Sequence, residues 1–298
     1  VISQRNVTSN DYRKVSRNGL VSAVDFGGSN FPIVFLHGSA SSSAVFCRQL
    51  SSPLSEQFRL ITVDLPGHGK SANARDPSVN YSIQGMAQTI AEGLRAIDVR
   101  RAVFCGWSLG GHIAIQLMAD TDLVAGLMLT GTPPIAPGPM GLLRGFQLST
   151  DMLLTSKPHY SAEDATRMTR LCFDDDPPAG AVAMAMRADG RMRTAVSKSF
   201  LYGNGMSDQR RAIQTAAVPI AFIDGENDNF IRTSYVAALD IPTLWDRYLL
   251  PDAGHAAFWS RSQTYNAILQ RFALEAAIRP ATEALADRRR QISGSHFH

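Results

Sequence analysis

The run Phe104-Cys105-Gly106-Trp107-Ser108-Leu109-Gly110-Gly111 constrains this chain more than any other. It carries the pattern G-x-S-x-G, with an apolar run before it and a helical pattern after it. A strand that turns abruptly into a helix crowds its own backbone, so the residues flanking the turn must be small. Gly106 and Gly110 meet that need. The turn lifts the Ser108 hydroxyl clear of a sheet and holds it near a helix N-terminus, where backbone N–H groups are unpaired. A serine N-cap on an ordinary strand-to-helix turn uses the same residue types, and isolated matches arise by chance. The strand before and the helix after favour a nucleophile.

The surrounding pattern predicts an α/β fold. Ile33-Val34-Phe35-Leu36, Leu60-Ile61-Thr62-Val63, Ala102-Val103-Phe104-Cys105 and Leu127-Met128-Leu129 read as buried strands, with helical segments near 43–54, 82–97 and 109–119 between them. Buried strands spaced by helices indicate a mostly parallel sheet covered on both faces. The alternation stops at Gly131-Thr132-Pro133-Pro134 and resumes at Pro219-Ile220-Ala221-Phe222-Ile223. A further strand at Tyr248-Leu249-Leu250 and a last helix over 258–276 complete the pattern. This predicts a core of residues 1–130 and 211–278, a helical cap of 131–210 inserted within it, and a C-terminal tail of 279–298. At 298 residues the chain suits one such domain.

Composition excludes several classes. Hydrophobic residues are 45% and charged residues 18%, ordinary for a globular protein. A net charge of +3 is too small to argue for nucleic acid, and Arg288-Arg289-Arg290 reads as a solvated stretch. Cys47, Cys105 and Cys172 form no C-x-x-C pair and are odd in number, so a disulfide framework is not expected. No apolar run reaches the ~18 residues of a membrane span. The first residues, Val-Ile-Ser-Gln-Arg-Asn, carry no apolar signal region. Together these features predict a cytoplasmic protein acting on a small molecule, with no nucleic-acid or membrane partner. Oligomeric state is left open.

A serine nucleophile needs a base. Of the seven histidines, His296 and His298 lie in the tail, His159 in the cap and His68 in a tight loop. His112 follows Ser108 by four residues on a helix and is expected to point away from the strand end. His255 follows the last strand, in Pro251-Asp252-Ala253-Gly254-His255, on a loop that can reach the elbow. It is the expected base. The acid should precede it in chain order. Asp224-Gly225-Glu226-Asn227-Asp228 offers three carboxylates; Asp228, deepest in the loop, is favoured over Glu226 and Asp224 for holding the other ring N–H of His255. Asp252 suits a surface turn. The turn after strand 33–36, His37-Gly38-Ser39-Ala40, is placed to supply one backbone oxyanion donor at Ser39, with Leu109 as the second. His37 itself suits a structural role, holding the loop through its ring.

Substrate-pocket candidates are His37, Gly38, Trp107, Thr132, Pro133 and Met184. Seven of the ten methionines, Met140, Met152, Met168, Met184, Met186, Met192 and Met206, fall in the cap segment. Flexible thioethers suit a pocket for varied acyl chains, but helical spacing also suits their packing the cap on itself. Asp174-Asp175-Asp176-Pro177-Pro178 reads as a solvated turn. No H-E-x-x-H or comparable ligand cluster is present, so neither metal nor cofactor is expected.

The His-Gly loop, Asp64-Leu65-Pro66-Gly67-His68-Gly69-Lys70-Ser71, the elbow, Gly225-Glu226-Asn227-Asp228 and Ala253-Gly254-His255 together resemble the α/β-hydrolase superfamily over about residues 20–275. A narrower resemblance rests on three runs: Gly106-Trp107-Ser108-Leu109-Gly110-Gly111-His112-Ile113, Thr130-Gly131-Thr132-Pro133-Pro134 and Ala253-Gly254-His255-Ala256. These are similar to the metal-independent N-acyl-homoserine lactonases of the same fold. The resemblance implies ring opening of an acyl lactone through Ser108, Asp228 and His255. Two positions depart from that subgroup: Asp228 stands where it can carry Glu, and Ser39 where it can carry Asn. The cap matches poorly. Rival readings are a carboxylesterase, a hydrolase of C–C bonds, and a small-molecule receptor on a hydrolase scaffold. Ser108 argues against the members that use an aspartate nucleophile.

Overall fold

A computed structural model describes residues 12–16 and 19–278. The tail 279–298, with Arg288-Arg289-Arg290, His296 and His298, and the first residues of the chain lie outside the described residues. One sheet of eight strands organises the described chain. In chain order they are β1 (Tyr12–Lys14), β2 (Ser22–Asp25), β3 (Pro32–Leu36), β4 (Arg59–Asp64), β5 (Ala102–Trp107), β6 (Val124–Thr130), β7 (Ile220–Gly225) and β8 (Leu244–Leu250). Their spatial order is β1-β2-β4-β3-β5-β6-β7-β8. From β4 to β8 every pairing is parallel, whereas β1 and β2 join antiparallel at one edge. The antiparallel edge escaped the sequence pattern. Its strands are three and four residues long, too short to show a period.

The parallel strands are apolar because both faces are covered. β5 and β6 are buried throughout, while β8, at the far edge, keeps several half-exposed positions. The helix Leu109–Asp120 is buried from Leu109 to Met118, packed between the sheet and the helix Gln209–Gln214. On the other face, Ser262–Ile278 lies so close to β6 that a Cβ at Gly126 would sit 2.9 Å from Ala276. Among the described residues no helix is long and apolar enough to cross a membrane.

Two features of this topology position the site. After β3 the chain builds β4 on one side, then crosses to build β5 on the other. The carboxyl ends of β3 and β5 therefore flank the point where the winding reverses, the usual ligand crevice of an open α/β sheet. β6 and β7 are sheet neighbours, so residues 131–219 leave the sheet and return beside it. This insertion contains the helices Pro139–Gly145, Ala162–Phe173, Ala181–Arg187, Gly190–Tyr202 and Gln209–Gln214. Ser161 and Asp164 form a reciprocal capping box that starts the second of these. The insertion is tied to the loops beneath it. Arg187 Nη2 donates to the Ser71 carbonyl at 2.8 Å, and the Tyr81 hydroxyl donates to Asp189 Oδ2 at 2.7 Å.

Candidate active site

Ser108 sits between β5 and its following helix with φ of 52° and ψ of −119°. A side chain in such a backbone region costs about 1–3 kcal/mol and persists only where its surroundings hold it. Those surroundings are glycines. A Cβ at Gly106 would meet Gly111 Cα at 2.4 Å, and one at Gly110 would meet the Leu36 carbonyl oxygen at 2.1 Å. The Ser108 carbonyl accepts from Gly111 N at 2.9 Å, and the Thr132 hydroxyl lies 3.0 Å from it. Ser108 N donates to the Thr130 carbonyl at 2.9 Å.

His255 and Asp228 arrive from the neighbouring strand ends. His255 Nδ1 lies 2.8 Å from Asp228 Oδ2, and both side chains are buried. Asp228 Oδ1 accepts from Phe230 N at 2.7 Å and Ile231 N at 3.2 Å, so the carboxylate is oriented by its own loop. Trp107 Nε1 donates to the His255 carbonyl at 3.0 Å, and the Phe230 ring packs 4.6 Å from the imidazole. Gly131 (φ 59°) closes the other side: a Cβ there would stand 2.5 Å from His255 Cε1. The other acid-loop carboxylates face elsewhere. Asp224 is buried and accepts from Gly131 N at 2.8 Å; desolvation pushes its carboxyl up to about 7. Glu226 is exposed.

Ser108, His255, Ser39 and Leu109 share one cavity of about 810 Å³. Its floor is the end of β5, and its walls come largely from the insertion, including Leu142, Phe146, Met152, Met168, Met192 and Phe200. A serine hydroxyl, an imidazole held by a carboxylate, and a helix N-terminus at one end of an apolar cavity can together carry out nucleophilic attack on an acyl carbon. Among the described residues, no group of three or more His, Cys, Asp or Glu side chains could hold a metal ion.

The remaining pocket candidates lie behind the cavity wall. His37 is fully buried; its Nε2 accepts from Leu65 N at 3.0 Å, its Nδ1 lies 2.7 Å from the Gly38 carbonyl, and burial lowers its pKa to about 4. It stays neutral and braces two loops. Gly38 presses against the elbow, where a Cβ would meet Ser108 Cβ at 3.2 Å. Trp107 supports the His255 loop. Thr132 pins the elbow, and Pro133 packs under Gly145. Met184 packs on the core, and of the seven methionines Met152, Met168 and Met192 line the cavity. Trp107, Thr132 and His37 flank the site in sequence, but their polar atoms hold backbone around it rather than line the cavity.

One further expectation is corrected. His112 lines the cavity with Ser108 rather than pointing away. Residues four apart share one helix face, so the turn that presents Ser108 also presents His112. The stretch from Asp174 to Asp176 is an exposed turn, as expected, and it also carries tertiary ties. Asp176 Oδ2 pairs with Arg48 Nη2 at 2.9 Å, and its carbonyl accepts from Trp259 Nε1 at 2.6 Å. Asp174 lies against the His255 loop, where a Cβ at Gly254 would meet its carboxylate at 2.6 Å.

This fold and elbow define a class. The Alpha/beta hydrolase family profile matches residues 33–268, and the chain belongs to that family. Among solved structures, the N-acyl homoserine lactonase AidH complexed with N-butanoyl homoserine matches with a TM-score of 0.86 at 32% identity, over 90% of this chain and 98% of that one. An AidH variant complexed with N-hexanoyl homoserine lactone gives 0.85 at 32% identity, over 89% and 98%. The pimeloyl-[acyl-carrier protein] methyl ester esterase of Nitrosomonas europaea is 30% identical over 253 residues, 80% of this chain and 93% of that protein. Its namesake in Stenotrophomonas maltophilia is 28% identical over 279 residues, 87% and 98% of the two chains.

Proposed function

We propose that the chain is a serine hydrolase that opens the ring of N-acyl-homoserine lactones. Ser108 is the nucleophile, His255 the base and then the acid, and Asp228 the carboxylate that holds the imidazole. The cap, expected over 131–210, is assigned to the insertion between β6 and β7, and the described residues on either side of that insertion are assigned to the core. The observation that carries this reading is the cavity. It joins a strained serine to a carboxylate-paired histidine at one end, and apolar walls from the insertion suit an acyl chain at the other. The likeness to AidH supports the lactone as the ester attacked.

The steps follow from that arrangement. His255 takes the Ser108 proton as Oγ adds to the lactone carbonyl. The N–H groups of Ser39 and Leu109 receive the negative charge on the former carbonyl oxygen; losing one such donor typically costs about 10²–10³ in turnover. Collapse breaks the ring C–O bond, and His255 returns its proton to the departing alkoxide. Water, deprotonated by His255, then adds to the acyl-enzyme; the Ser108 Oγ–acyl bond breaks, Oγ takes the proton back from His255, and N-acyl-homoserine leaves. Mass spectrometry tests the reading: a product heavier than substrate by one water, with the amide intact, is expected. Release of free fatty acid and homoserine lactone would indicate amide cleavage instead. A second reading, a carboxylesterase using the same residues, is favoured by the methyl ester esterase relatives. It would replace the first if acyclic esters turn over fast while no acyl lactone of any chain length does.

A further inference from the structure

His112 is 3% exposed and lines the cavity beside Ser108. Its protonation can be reasoned from its partner. Gln209 is fully buried and its Nε2 donates to the His112 carbonyl at 3.0 Å. A carbonyl can only accept, so that contact fixes which way the Gln209 amide faces. Its oxygen, Oε1, therefore faces His112 Nδ1 at 2.7 Å, and an amide oxygen in turn can only accept. The ring hydrogen is on Nδ1. Burial lowers the pKa of this ring to about 4, so it is neutral at physiological pH. Nε2, across the ring from Gln209, then carries a lone pair.

The setting of this lone pair is apolar. Phe200 packs edge-to-face on the ring at 4.7 Å and Phe146 lies 6.0 Å away, and both line the same cavity. The His112 backbone N–H donates to the Ser108 carbonyl at 3.2 Å, so the two residues stand one turn apart where both line the cavity. A ligand group meeting His112 is therefore close to the carbonyl under attack. In such walls a matched donor gains a hydrogen bond in low dielectric, while a second lone pair meets repulsion and an unpaired acceptor.

We propose that His112 Nε2 is an acceptor subsite that reads an N–H on the carbon next to the attacked carbonyl, as an N-acylated lactone presents. The inference rests on the lactone reading of this cavity. It makes His112 a specificity-determining residue, selecting acyl-amido substrates over acyloxy ones of the same shape.

The test compares ring opening of N-hexanoyl-homoserine lactone with that of α-hexanoyloxy-γ-butyrolactone, in which oxygen replaces the amide N–H. Each kcat/KM is divided by the alkaline hydrolysis rate of the same lactone, which removes intrinsic reactivity. The unaltered protein should favour the amide by about tenfold or more. In His112→Phe, which keeps an aromatic ring between Phe146 and Phe200, the ratio should fall towards one through loss on the amide substrate. A general disturbance of packing would lower both rates and leave the ratio in place. A ratio near one in the unaltered protein overturns the proposal without any variant. So does a ratio that His112→Phe leaves unchanged, and in that case the lactone reading still stands. Turnover of neither lactone overturns both.

Discussion

Gly131→Ala isolates what holds the base in place. Gly131 has φ of 59°, and a Cβ there would lie 2.5 Å from His255 Cε1 and 2.7 Å from Nδ1. Carbon contacts rest at about 3.5–4.0 Å, so the imidazole must retreat by about 1 Å. It has little room to do so. Nδ1 is held 2.8 Å from Asp228 Oδ2, and Phe230 and Trp107 pack on the ring. The left-handed backbone costs about 1–2 kcal/mol for alanine, offset by about 0.4–1 kcal/mol from stiffening the unfolded chain. Net destabilisation of about 1 kcal/mol lowers Tm by only about 2–4 °C in a domain of this size. The chemistry should lose far more, since misplacing a catalytic group by about 1 Å can cost on the order of 10² in rate. Steady-state kinetics with a thermal melt on the same sample would check this. A kcat/KM within about threefold of the parent, which is about 0.65 kcal/mol of lost transition-state stabilisation, would refute the reasoning.

Ser108→Ala should fold normally and lose several orders of magnitude in hydrolysis, because nucleophile and base act as a unit; retention of a tenth of the turnover would defeat the assignment. Asp224→Asn should stabilise the protein more at high pH than at low. The Asp224 carboxyl is raised to about 7, so between its ordinary value near 3.8 and that point the folded state keeps a proton the unfolded state has released, and stability falls as pH rises. Asparagine retains an oxygen for Gly131 N and has no such proton, so the Tm gap should widen from pH about 5 to pH about 8, and a constant gap would refute the account. Exhaustive chelation should leave activity intact, and loss restored by zinc would sink the serine mechanism. Shortening the acyl chain should lower kcat as well as raise KM, since remote binding helps position the reacting ester; a pure KM effect would argue against that role.

How much could be read in advance depended on whether a residue's role is local. The elbow was legible because its constraint is local: Gly106 and Gly110 are needed within a few residues of Ser108, where any Cβ would strike backbone. The parallel strands were legible because burial on both faces makes them continuously apolar. The His255–Asp228 pairing could be reasoned from chain order and loop depth. What failed was side-chain direction. Trp107 and Thr132 flank the reacting groups in sequence, yet their polar atoms are spent on the backbone of the elbow and its neighbours, whereas His37 braces its loop through its ring as its structural reading expects. His112 was misjudged in the opposite sense, though its spacing of four from Ser108 held the signal. The tie from Asp176 to Arg48 and Trp259 spans elements far apart in the chain, and no local pattern could announce it.

The lactone reading asks more of the cavity than an ester reading does. When an open ester is cleaved, the alcohol diffuses away. When a lactone is cleaved, the alkoxide stays tethered to the acyl group and can close the ring again as fast as water can attack. Hydrolysis wins only if the freed end is held away from the acyl-enzyme while His255 remains beside it. On the lactone reading, the two demands fall to different parts of the chain. His255 is clamped from the sheet side by Asp228, Trp107 and Gly131, whereas the acyl-facing walls belong to the insertion. A base fixed to a rigid sheet and a chain-binding wall on a separate segment can be tuned independently. The likeness to AidH covers 90% of this chain and 98% of that one, so it extends over the insertion as well as the core.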